Sequence, residues 1–446
     1  MKIRTALLCA AVLATFQPAA AALRYVSPGG NDASDCSSAL APCKTVGRAA
    51  TVAVSGDTIR IAGGNYVERV VLSASGSMTL TLQGAWNAAF TSRDVVSNRT
   101  SLSGGKTDRA IRITSMGDAQ FAVTIDGLTI EKSRAKTPDA EGDVSGGGLI
   151  AESFDISVLT LDLVNVTVGG NKSPNDGGGL RIFSADSSSL TATLTGCTVS
   201  ANKSKGEGGA AEVDVRDFST LTLNLVETSF TLNKSKEGGG AIDAEADDQG
   251  TLTVKAERSL FTRNSAAEGG GALRVYGWDG GQAHLVLENS VFALNKSKQD
   301  GGAVQVASRG FSSATLDSMN CTQTSNSAKS LGGGTHLLAD PGSAGVSATI
   351  VNDILWGNKG TNDLAARGAA GGTVSYLVVG SMSTGFIASA ITTADPLLVD
   401  GPNGNVHLKP GSPAVDAGTC EGAPGEDFEG TPRPQGAGCD IGADEQ

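Results

Sequence analysis

Residues Ser229 to Ile242 read SFTLNKSKEGGGAI: an apolar start, an asparagine, a basic-acidic turn, three glycines and a return to apolar residues. The asparagine of this phrase, Asn233, has counterparts at Asn171, Asn202, Asn264, Asn295 and Asn326, each 31 residues from its neighbour, and Asn358 follows 32 residues after the last. A glycine keeps the same register at Gly147, Gly178, Gly209, Gly240, Gly271, Gly302 and Gly333. Seven copies without an insertion mark a solenoid built from one repeating unit.

The pattern inside the unit decides which solenoid. Gly240-Ala241-Ile242-Asp243-Ala244-Glu245 and Leu221-Thr222-Leu223-Asn224-Leu225 alternate apolar and polar residues. Period two means strand, which excludes helical repeats. Stacking the units places Leu159, Leu190, Leu221 and Leu252 in one column, and Leu161, Ala192, Leu223, Val254, Leu285 and Leu316 in a second. Leu149, Leu180, Ala211, Ile242, Leu273 and Val304 form another, and Val168, Val199, Phe230, Phe261 and Phe292 the last. Three short strands per coil, each paired with its counterpart in the next coil, describe an all-β chain, a right-handed parallel β-helix with 31-residue coils and terminal caps. The right hand is expected because the hexapeptide repeat usual in left-handed solenoids is absent. The glycines supply a turn that side chains would obstruct. The asparagines, stacked ~4.8 Å apart, form a structural ladder at a bend, which accounts for the Asn-Lys-Ser triplets better than a glycosylation sequon does.

Composition agrees. The chain has 446 residues with 60 glycines but only 13 prolines, so the glycines serve regular turns rather than a collagen or a proline-rich linker. A net charge of −12 argues against nucleic acid as a partner. The first 22 residues carry a basic start (MKIR), a short apolar stretch (ALLCAAVLATF) and four alanines, the features of a signal peptide, so the mature protein is expected to be secreted or at the cell surface. No later segment reaches the ~20 apolar residues of a membrane span. The expected organisation is a signal peptide over 1–22, an N-terminal cap and first coils over 23–105, repeats over 106–385 and a closing segment over 386–446.

Two resemblances follow from particular motifs. Phe230-Thr-Leu-Asn233, Phe261-Thr-Arg-Asn264 and Phe292-Ala-Leu-Asn295, with Gly240-Ala241-Ile242 and Gly302-Ala303-Val304, resemble the FxxN and GGA[ILV] repeats of polymorphic outer-membrane proteins, which are surface adhesins. The ends are similar to bacterial extracellular β-helix proteins of the choice-of-anchor Q kind: YVSPGGND at 25–32, CKTV at 43–46, GDTI at 56–59 and GNY at 64–66 match the opening cap, and HLKPGSPAVDAG at 407–418 with CDIGADE at 439–445 match the closing segment. These resemblances imply a β-helix and export, with a binding, adhesion or structural role toward a glycan or another cell-surface ligand.

Two polar columns are the candidate sites. On the strand after the glycines, Glu212, Asp214, Asp243 and Glu245 form an acidic cluster between Arg181 and Arg274, with Tyr276 beside it. Side chains two apart share a face and coils stand ~4.8 Å apart, so the cluster has the spacing of paired catalytic carboxylates or of a calcium site. The commoner reading of such a row is a solvated sheet face with cross-strand charge pairs. Asp155, Asp186, Asp217, Asp248 and Asp279 form a second row, either turn residues or a cation site; calcium is the one cofactor considered. No G-x-S-x-G or H-E-x-x-H motif is present, and His284, His336 and His407 fall in different regions. An enzyme is therefore not compelled. A polysaccharide lyase is the alternative, with Arg274, Tyr276 or His336 as base.

Export favours disulfides, and six cysteines follow the signal peptide. Cys197 and Cys321 lie in one column four coils apart, ~19 Å against the ~7 Å a disulfide tolerates, and are expected to be free and buried. Cys36 with Cys43, and Cys420 with Cys439, are the local pairs left.

Overall fold

The computed structural model describes residues 21–140 and 142–446; the signal-peptide expectation falls, apart from its last two residues, outside the described residues. The chain winds into a parallel β-helix. One sheet contains ten five-residue strands in sequence order of coils, from Val70–Ala74 to Leu364–Gly368. The other faces are columns of seven-residue strands, such as Thr220–Val226, and three-residue strands, such as Ser229–Thr231. The register is the one expected from the repeat: Leu190 pairs with Leu221 and Leu221 with Leu252, Ala211 with Ile242, and Phe230 with Phe261.

Alternation puts the apolar member of each strand inside. Leu221, Leu223, Leu225 and Phe230 are all at most 1% exposed. Phe230, Phe261 and Phe292 stack with centroids 4.9 and 4.7 Å apart and planes within 3° of parallel, so each coil passes its core geometry to the next. Such a core is contiguous along the axis, and no coil buries its apolar face alone. The first coils are covered by a helix at Val46–Val52, which buries Val46 and Ala49; Thr45 caps it by accepting from Arg48 N–H, and Glu68 accepts from the N–H groups of Val46 and Gly47.

The glycine triplet does two different things. Gly239 has φ +57°, the left-handed region, and Gly240 lies so close to the next coil that a Cβ would come 2.0 Å from the Gly271 carbonyl oxygen. Nothing but glycine fits at position 240 without moving a coil.

The asparagine ladder is closed on both sides. Asn233 Oδ1 accepts from the backbone N–H and the Nδ2 of Asn202 at 3.0 and 3.1 Å, while Asn233 Nδ2 donates to Val199 O and to Asn264 Oδ1. The pattern repeats from Asn171 through Asn326 to Asn358, whose amide donates to Asp363 Oδ1 at 3.0 Å. With both Nδ2 protons engaged and Asn171, Asn202, Asn233 and Asn295 at most 1% exposed, the sequon-like triplets offer no free amide.

Both expected disulfides are present, Cys36–Cys43 and Cys420–Cys439, and Cys197 and Cys321 are free and buried. The final segment returns along the flank of the solenoid: Asn289 Nδ2 donates to Glu426 O, Arg258 pairs with Glu426 at 2.8 Å, and Asn320 Nδ2 donates to Asp440 O. Among the described residues no helix is long and apolar enough to cross a membrane.

Candidate functional site

The acidic cluster assembles as the spacing predicts. Glu212 pairs in register with Asp243 and Asp214 with Glu245, Arg181 precedes Glu212, and Arg274 and Tyr276 follow on the next strand. The expected solvated face is not what forms. Arg181 is 2% exposed, Asp243 1%, Asp214 4% and Glu212 9%. The bend between the asparagine corner and the glycine turn folds over this sheet and brings its own carboxylates onto the arginines.

Arg181 lies 3.3 Å from Glu212, 3.5 Å from Asp139 and 3.8 Å from Asp214. Arg274 donates through Nε to Asp243 at 2.7 Å, pairs with Glu207, and lies 3.8 Å from Glu268. Arg216 closes on Asp214, and Arg112 donates to Glu152 at 2.9 Å. Asp139, Glu207, Glu268 and Arg216 had no place in the sequence reading. Glu207 stands one repeat after Asp176, and this was the available signal.

Carboxylates outnumber arginines here, and burial disfavours the charged form of a carboxyl group. Burial pushes Glu212 and Asp243 well above the ordinary carboxylate range, against the pull of Arg181 and Arg274 respectively. Glu245 is raised to about 7, by burial first and then by Asp214 and Glu207. Tyr276 is raised by burial, and its ring sits 5.9 Å from the Arg274 guanidinium carbon. His336 is fully buried, its Nδ1 3.3 Å from Gln305 Nε2, and desolvation lowers its pKa. Chemically, Glu245 titrates near neutrality, and Tyr276 is its in-register neighbour.

The aspartate row has a backbone explanation. Asp155, Asp186, Asp217, Asp248 and Asp279 all have positive φ, from 36° to 61°, and glycines 117 and 310 occupy the same left-handed position on the flanking coils. Aspartate tolerates that conformation better than most residues. Asp155 Oδ2 accepts from Gly117 N–H at 2.8 Å. Among the described residues, no group of three or more His, Cys, Asp or Glu is placed to share a metal ion.

No family model matches the chain, and no curated protein matches it. Among solved structures it is similar to the one described as the crystal structure of pectate lyase Pel9A, with a TM-score of 0.45 and 15% identity over 95% of this chain and 96% of that one.

Proposed function

We propose that this is a secreted or cell-surface β-helix protein with a binding, adhesion or structural role toward glycans. The observation that carries the reading is the state of the acidic row. Asp243 and Arg274, and Glu212 and Arg181, are spent on one another beneath a covering bend, so they stabilise the coils rather than line an open catalytic cleft. The signal-like start, the disulfides and the resemblance of both ends to choice-of-anchor Q proteins support export, and the FxxN repeats support adhesion.

A polysaccharide lyase is the second reading, favoured by one observation: Glu245, with a pKa of about 7, stands beside Tyr276 on the same face. A group poised near the working pH is suited to proton transfer. Screening residues 23–446 against glycan arrays and uronic-acid polymers separates the two. Binding without turnover supports the first reading, new unsaturated-uronate absorbance supports the second, and failure to bind any glycan overturns both.

A further inference from the structure

The bend that carries the asparagine ladder presents a second ladder outward. Directly after the asparagines, Lys172, Lys203 and Lys234 form consecutive parallel bridges, coil to coil, and Arg134, which follows Ser133 on the coil before, bridges to Lys172. Two residues further along, Lys205 and Lys236 repeat on the same side. All six side chains are exposed, and among the described residues none of the five lysine ammonium groups makes an ion pair or hydrogen bond. The column runs on through Ser265, Lys296 and Ser327 to Lys359, without an acidic member.

The surface is concave as well as basic. A hollow of about 380 Å³ is lined by these six residues together with Ser173, Pro174 and Ser204, and a second hollow of about 270 Å³ continues it over Ser265, Ala267 and Lys298. In a chain of net charge −12, this is a local reversal of sign. Glu237 and Glu268 border it on the side toward Arg274, and the neighbouring carboxylates raise the Glu237 pKa after burial does. The positive field is therefore a narrow stripe parallel to the solenoid axis.

We infer that this lysine stripe binds a single linear acidic polysaccharide laid along the axis, a polyuronate being the matching chemistry. The inference rests on the glycan-binding reading and deepens it. Cations at a fixed ~4.8 Å step match a stiff chain bearing one carboxylate per sugar. Glu237 and Glu268 beside the stripe would repel a flat anionic membrane laid across it. The stripe also lacks the aromatic platforms on which single-stranded nucleic acid stacks. Repetition along the axis gives the polymer many weak, equivalent contacts, so affinity grows with ligand length.

The test is calorimetric titration of residues 23–446 with polygalacturonate, alginate, a neutral galactan and single-stranded DNA, at two salt concentrations. A variant carrying Lys203→Glu, Lys205→Glu, Lys234→Glu and Lys236→Glu is compared with one reversing the distant Lys409. The expected result is binding to a polyuronate that weakens with salt and falls at least about tenfold in the fourfold variant, with the Lys409→Glu protein unchanged. An unchanged melting temperature shows that the stripe, not the fold, was altered. Binding of the neutral galactan alone, unaffected by charge reversal, overturns this inference and leaves the glycan-binding reading standing. Binding to no glycan overturns both. DNA binding as tight as polyuronate binding, lost in the same variant, overturns the choice of ligand.

Discussion

The Asp353 carboxylate accepts the backbone N–H of Cys321 at 2.8 Å, and so ends a buried ladder that runs from Cys197 through Thr228, Ser259 and Ser290. Each hydroxyl in that ladder accepts an N–H from the coil before it and donates to carbonyl oxygens; Ser259 Oγ donates to Leu225 O and Glu257 O. Asp353 is fully buried, holds only Ser318 Oγ besides Cys321, and has no cation within reach among the described residues. Burial raises its pKa to about 7.

That position predicts a pH-dependent stability. The folded pKa lies above the unfolded value of 3.8, so the native state binds the extra proton. Stability from this group is full below pH ~4, declines as pH rises through about 7, and is level above; the total is on the order of 2–4 kcal/mol. Asp353→Asn keeps an acceptor for Cys321 and cannot ionise. Denaturant unfolding of both proteins from pH 4 to 8 should show the variant gaining on the parent from pH 4 to about 7 and no further above it. A difference that does not change with pH refutes the assignment, and the raised Glu245, common to both proteins, cancels.

The asparagine ladder should be costly to break in the middle. Asn264→Ala strips Asn233 of the acceptor for its N–H and Nδ2 and leaves Phe230 O without its Asn264 donor, all in the buried corner. The expected loss is about 2–4 kcal/mol, because each orphaned buried group keeps its desolvation cost. Lys234→Ala, on the exposed side of the same bend, should change stability by less than about 0.5 kcal/mol. Equal losses in the two variants would refute the ladder's role.

These two ladders mark what was legible. Strands, columns and register follow from the 31-residue period, because a solenoid repeats its backbone and the sequence repeats with it; the observed pairing of Leu221 with Leu252 needed nothing else. Burial of Glu212 and Asp243 was not legible, since the covering residues come from the bend of the same and earlier coils. Asp139 is 42 positions before Arg181, out of register because the coil holding it is longer. Asp353 was hidden by the extra residue that puts it 32 rather than 31 positions after Cys321. The lysines were in register, but the triplet alone does not say whether their ammonium groups meet a carboxylate from a neighbouring coil.

The covered acidic row reverses an expectation about mutants. A solvated Asp243 could be replaced freely; the observed one shares a buried, two-contact pair with Arg274 at 2.7 and 3.2 Å. Asp243→Ala should therefore destabilise by about 3 kcal/mol, with Glu207 retaining part of the guanidinium's pairing. Asp243→Ala with Arg274→Met should recover part of the loss, because no guanidinium is then left buried alone and the carboxylate that loses its pair, Glu207, is a quarter exposed. If the single variant melts with the parent, the row is solvated after all.

The last prediction concerns the thiols. Cys197 and Cys321 lie 124 positions apart in one column of the ladder, with Thr228, Ser259 and Ser290 between, so neither can reach the other. Cys197 is held at a pKa of about 11 by burial, and burial raises Cys321 as well, so both are protonated and shielded at neutral pH. Thiolates, not thiols, react with alkylating reagents. In unreduced protein of residues 23–446, a thiol reagent should therefore label nothing quickly in the native state and two cysteines after denaturation. Peptide mapping should place the labels at Cys197 and Cys321, and find Cys36 linked to Cys43 and Cys420 to Cys439. Fast native labelling at either site would show that the ladder opens in solution. A Cys197–Cys321 linkage within one chain would remove the register on which every column depends.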